Sequence, residues 1–82
     1  MLGETRGLAQ LNLGSLAYEQ SHYEGAETHW REALETLRQA SSTEAANAVN
    51  NLAVLATIRG DFDQAWGLYE EVLGLDGGQP GP

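Results

Sequence analysis

The chain repeats itself. Shifted by about 39 residues, it meets its own pattern of small, large and polar side chains. Ala9 falls on Ala48, Asn12 on Asn51, Leu13 on Leu52, Leu16 on Leu55 and Ala17 on Ala56. Further along, Ala26 falls on Ala65, Glu32 on Glu71 and Leu34 on Leu73. Rings answer rings at Tyr23 and Phe62, and at Trp30 and Tyr69. A unit used twice in this way cannot bury its apolar face alone and has to stack on its neighbour.

The unit is helical. Leu8, Leu11, Leu13, Leu16 and Ala17 recur at helical spacing, as do Tyr23, Ala26, Trp30, Ala33, Leu34 and Leu37. A third stretch carries Val49, Leu52, Ala53, Leu55 and Ala56, and a fourth Phe62, Ala65, Tyr69, Val72 and Leu73. No stretch alternates as a strand does. The pattern predicts four helices joined by short turns. Ser41 and Glu44 have the spacing of a capping box that opens the third helix. Ser21 and Glu24 share that spacing, so Ser21 or His22 opens the second. Gly60 suits the left-handed residue that ends a helix, and Asp61 suits the cap that starts the next. The segment 77–82, with three glycines and two prolines, holds no helix and is expected to be disordered.

Asn12-Leu13-Gly14, then Tyr23, Ala26, Trp30, Ala33 and Leu34, resembles a tetratricopeptide repeat. Asn51-Leu52-Ala53, then Gly60-Asp61-Phe62, Ala65, Tyr69, Val72 and Leu73, resembles a second. The resemblance implies an all-α fold: two tandem helix–turn–helix repeats, four antiparallel helices, a fragment of a right-handed solenoid. The domain would span 1–76, with repeats at about 7–40 and 43–75. Small residues, Gly14 and Ala53 on first helices and Ala26 and Ala65 on second ones, would mark close crossings. Trp30 and Tyr69 would fill the wedge. The family period is about 34 residues. The surplus here, about one and a half turns, falls around Glu35 to Ala40 and lengthens the second helix. Longer repeats of this kind are similar to those of kinesin light chains and of bacterial signalling proteins. The family's first-helix aromatics are replaced by Gln10, Val49, Ala17 and Ala56.

Chemistry has little to work with. There is no cysteine, hence no disulfide or thiolate metal site. His22 and His29 are the only histidines and do not form the i, i+4 pair of a helical metal site. No nucleophile–base arrangement and no phosphate-binding glycine loop is present. No catalytic residue, metal or cofactor is expected, and no enzyme activity. Glu27 with Arg31, and Glu35 with Arg38, have the spacing of surface pairs. The net charge of −8, with no lysine, argues against nucleic acid and anionic membranes and favours a neutral or basic protein partner. The absence of a membrane-length apolar run and of a visible signal peptide makes the cytoplasm the expected compartment.

Two surfaces stand out. Asn47, Asn50 and Asn51 crowd one face of the third helix, followed by Val54, and asparagine is a middling helix former. Asn12, Ser15, Tyr18 and Glu19 hold the matching face of the first helix. The resemblance implies that these first helices line a concave groove in which Asn12 and Asn51 grip the backbone of an extended peptide. Their alternative is a role in holding the fold. The missing lysines exclude the family's carboxylate clamp. The peptide-binding candidates are therefore Asn12, Ser15, Glu19, Asn47, Asn50, Asn51 and Val54. The second surface is the last helix, where Tyr69, Val72 and Leu73 have no further repeat to cover them. Trp66, off their register, either contacts its own repeat or extends an association surface. The expected function is binding of an extended peptide or partner segment. The alternative is structural: self-association as a homodimer through Trp66, Tyr69, Val72 and Leu73, or part of a longer scaffold array.

Overall fold

The computed structural model describes residues 2–75, so the expectation for 77–82 lies outside the described residues. Four helices follow one another: α1 (Leu2–Glu19), α2 (Tyr23–Gln39), α3 (Ala45–Ile58) and α4 (Phe62–Leu75). Each packs on the next, α1 on α2, α2 on α3 and α3 on α4, and no strand occurs among the described residues. This is the all-α pair of stacked hairpins that the internal repeat predicts. The core gathers on α2. Ala26, Trp30, Ala33 and Leu37 are buried there, with Leu11 from one side and Ala45, Ala48, Leu52 and Leu55 from the other.

All three turns close in the same way. His22 N–H donates to Ala17 C=O at 2.8 Å, Ser42 N–H to Leu37 C=O at 2.9 Å, and Asp61 N–H to Ala56 C=O at 2.9 Å. One residue earlier, Ser21 donates to Tyr18, Ser41 to Arg38 and Gly60 to Thr57 at 2.9–3.0 Å. These paired bonds satisfy carbonyls that a helix end leaves open, and they need a left-handed residue between helix and turn. Among the described residues, Ser21, Ser41 and Gly60 have positive φ, at 64°, 54° and 81°. Two expectations are corrected here. Ser21 and Ser41 finish helices rather than start them. Glu44 stands at the start of α3, where its N–H donates to Ser42 Oγ at 3.1 Å. His22 starts α2 without a side-chain cap bond. Asp61 does cap α4, accepting from Gln64 N–H at 3.3 Å.

The left-handed region costs an L residue roughly 1–2 kcal/mol. Ser21→Gly and Ser41→Gly should therefore each stabilise the fold by about 1 kcal/mol, while Gly60→Ala should cost a similar amount. Urea midpoints measure this. A lower midpoint for either glycine variant would mean that the serine side chain supports its turn.

The extra length of the first repeat is used on both of its helices. α2 runs on to Gln39, and α1 starts as early as Leu2 to lie alongside it. Gly7 lies directly against the side chain of Leu37, Gly3 lies near Ala40, and Ser42 Oγ donates to Glu4 Oε2 at 2.7 Å. An antiparallel partner has to grow at its N-terminus when the other helix grows at its C-terminus.

The charged pairs partly differ from the expected ones. Glu27 accepts from Arg31 at 2.7 and 2.9 Å, as the spacing suggests, and also from Arg59 at the end of α3 at 2.5 Å. Bonds from Arg31 and then Arg59 hold its carboxyl below the usual carboxylate value. Glu35 instead accepts from Gln39, at 3.3 Å. Arg38 reaches across to Glu71, tying α2 to α4.

Candidate functional site

Gly14 sits buried on α1 where the Trp30 indole of α2 passes, and a Cβ there would overlap the ring at Cδ1 and Nε1. The missing side chain lets the ring slide beneath α1 and reach toward α3. Its Nε1–H donates to Leu11 C=O of α1 at 3.1 Å. Tyr18 leans on Trp30 with ring centroids 5.7 Å apart, and Tyr23 on Tyr18 at 5.6 Å. The result is an open pocket of about 280 Å³ between α1 and α3, lined by Ser15, Tyr18, Glu19, Trp30, Asn51 and Val54. Its floor is aromatic. Its rim carries a hydroxyl, a carboxylate and an amide, and the amide can both donate and accept.

Ser15, Glu19, Asn51 and Val54 come together as the sequence suggests. Asn12, Asn47 and Asn50 do not line this pocket. Asn12 and Asn50 are exposed, and Asn47 Nδ2 donates to Glu44 Oε1. Trp30 is both core wedge and pocket floor, a double role its register does not reveal. Tyr18 is recoverable from sequence, because it lies three residues after Ser15 and therefore shares its face.

Trp66, Tyr69 and Leu73 are exposed on α4, with Val72 half-buried. Trp66 is not off the register of the others. With Phe62, Trp66, Tyr69 and Leu73 at intervals of four, three and four residues, it belongs to one exposed apolar stripe. The expected register started from Ala65, which is buried.

His22 lies at the turn and His29 Nδ1 stands 3.8 Å from Glu32. Among the described residues no group of three or more His, Cys, Asp or Glu is placed to hold a metal ion. No described helix is long and apolar enough to cross a membrane.

Comparison with known families matches residues 8–44 to a model described as a tetratricopeptide repeat. That span runs from Leu8 within α1 through α2 to the turn before α3. Searches of curated proteins and of solved structures found no match.

Proposed function

We propose, for a chain that belongs to the tetratricopeptide repeat family through residues 8–44, that the pocket between α1 and α3 binds an extended segment of a partner protein. Tetratricopeptide repeats mediate protein–protein interaction. The observation that supports the finer reading is the convergence of Ser15, Glu19 and Asn51 on a pocket that Tyr18 and Trp30 also line. An apolar partner side chain rests against the joined rings of Tyr18 and Trp30, and the Asn51 amide pairs with the adjacent peptide group. The partner is neutral or basic, given Glu19 at the rim and a net charge of −8. No catalytic role, cofactor, nucleic acid or membrane enters this reading, and residues 1–76 act as one two-repeat domain in the cytoplasm.

The test begins with peptides selected from a random library on the immobilised chain. Asn51→Ala should weaken their binding about 5- to 150-fold, the equivalent of about 1–3 kcal/mol, with an unchanged thermal melt. Raising the salt should weaken binding of the basic peptides further. If Asn51→Ala melts the domain while leaving the affinity of the folded fraction intact, the residue belongs to the fold and the pocket is not the site.

A further inference from the structure

The two ends of the molecule are complementary halves of the joint at its middle. At that joint α3 lays Ala48, Leu52, Leu55 and Arg59 along α2, and Leu52 and Leu55 are only 5% and 2% exposed. The repeat places Ala9, Leu13, Leu16 and Gln20 on the same stripe of α1. There Leu13 and Leu16 are 47% and 53% exposed, although the periodicity reads them as core. The receiving side of the joint is Tyr23, Glu27, Trp30 and Leu34 on α2, and the repeat places Phe62, Trp66, Tyr69 and Leu73 on α4. Trp30 is 3% exposed, whereas its counterpart Tyr69 is 38% exposed, with Trp66 beside it at 68%. One position differs in kind. Where the internal joint pairs Glu27 with Arg59, the open ends offer Trp66 and Gln20, so neither stripe carries a charge. Beyond that stripe, Arg6 stands where α3 has the buried Ala45.

We infer that α4 of one copy receives α1 of a second copy, head to tail, in the geometry that already joins α2 to α3. Leu13 and Leu16 of the second copy cover Trp66 and Tyr69, replacing water with apolar contact. Such a contact uses two different faces, so each added copy leaves one of each free and assembly continues instead of stopping at a pair. The joint also completes a second pocket. Thr57, Ile58 and Tyr69 correspond to Tyr18, Glu19 and Trp30, and Asn12 and Ser15 of the second copy correspond to Asn51 and Val54. Asn12 thus gains the setting that it lacks in the single chain. Acidic chains repel one another, so salt that screens this repulsion promotes stacking.

Sedimentation velocity of the full chain from about 10 µM to about 1 mM, the range in which small weak interfaces associate, tests this. The mean mass should rise steadily past two chains, and rise further with salt. Leu16→Glu and Trp66→Glu should each sediment as one chain when alone. Mixed in equal amounts they should form a two-chain particle and no larger one, because one keeps an intact α4 face and the other an intact α1 face. Circular dichroism checks that both variants stay helical; Leu13→Gln and Phe62→Gln, also at exposed positions, form the second pair if either does not. A mass that stops at two chains and ignores Leu16→Glu means a symmetric pair through α4 and overturns the inference. A single chain at every concentration overturns it too and leaves both faces to some other occupant.

Discussion

Trp30→Ala should unfold a large fraction of the molecules at 25 °C. Emptying a fully buried tryptophan site costs about 3–5 kcal/mol, as lost transfer energy and a cavity that the surroundings only partly fill. A chain of 82 residues has about 4–12 kcal/mol of stability in total. Trp30 touches the core from both sides, because its ring lies beneath α1 at Gly14 and its far edge is the floor between α1 and α3. Trp30→Phe separates ring volume from hydrogen bond. It keeps an aromatic wedge, gives up the bond from Nε1 to Leu11 C=O, and should cost about 1–3 kcal/mol. The expected order of melting temperatures is parent, Trp30→Phe, Trp30→Ala. A Trp30→Ala melt within a few degrees of the parent would mean that the hairpins hold together without the wedge.

Gly14→Ala is expected to destabilise, against the ordinary preference. In an exposed helix interior alanine is better than glycine by about 1 kcal/mol. Here the new Cβ would overlap Trp30 at Cδ1, Nε1 and Cγ. Those atoms belong to a rigid ring that is buried and hydrogen-bonded to the same helix, so the helix has to move. Overpacking of this kind costs about 1–3 kcal/mol, which exceeds the propensity gain. Gly7→Ala makes the comparison. Its Cβ would overlap Cγ and one methyl of Leu37, a flexible side chain that can shift more readily than a ring, so the loss should be smaller. Chemical denaturation of both variants decides it. A stabilised Gly14→Ala would show that the indole shifts freely.

The repeat made the main contacts legible because packing demands left marks in residue size. Gly14, Ala26, Ala53 and Ala65 are small where helices cross, and all four are buried. The groove was legible in part, since a face of α3 can be read from helical spacing but its depth cannot. Asn51 and Asn50 are neighbours in sequence, yet only Asn51 lines the pocket. The turns at Ser21 and Ser41 were misread because a serine followed three residues later by glutamate suits a capping box, and backbone handedness shows only when glycine announces it. Periodicity also marks which face is apolar without saying whether anything covers it. Leu16 and Leu55 occupy the same register, and only Leu55 has a helix against it. The tie between Arg38 and Glu71 links residues far apart in the chain, where no local spacing rule applies.

The uneven distribution of buried side chains gives the molecule a tight end and a loose end. α1 and α2, of 18 and 17 residues, close around Leu11, Ala26, Trp30, Ala33 and Leu37, whereas α4 has 14 residues and among the described residues buries Ala65. Cohesion in a linear stack is a sum over neighbours, so the helix with the fewest buried groups detaches at the lowest cost. α4 can therefore peel from α3 while the α1–α2 hairpin stays closed. An occupant of the α4 stripe binds only while that helix is seated, and so shifts the opening equilibrium toward the closed form in proportion to its concentration. For this chain, occupancy of that face and resistance to local unfolding are one coupled quantity.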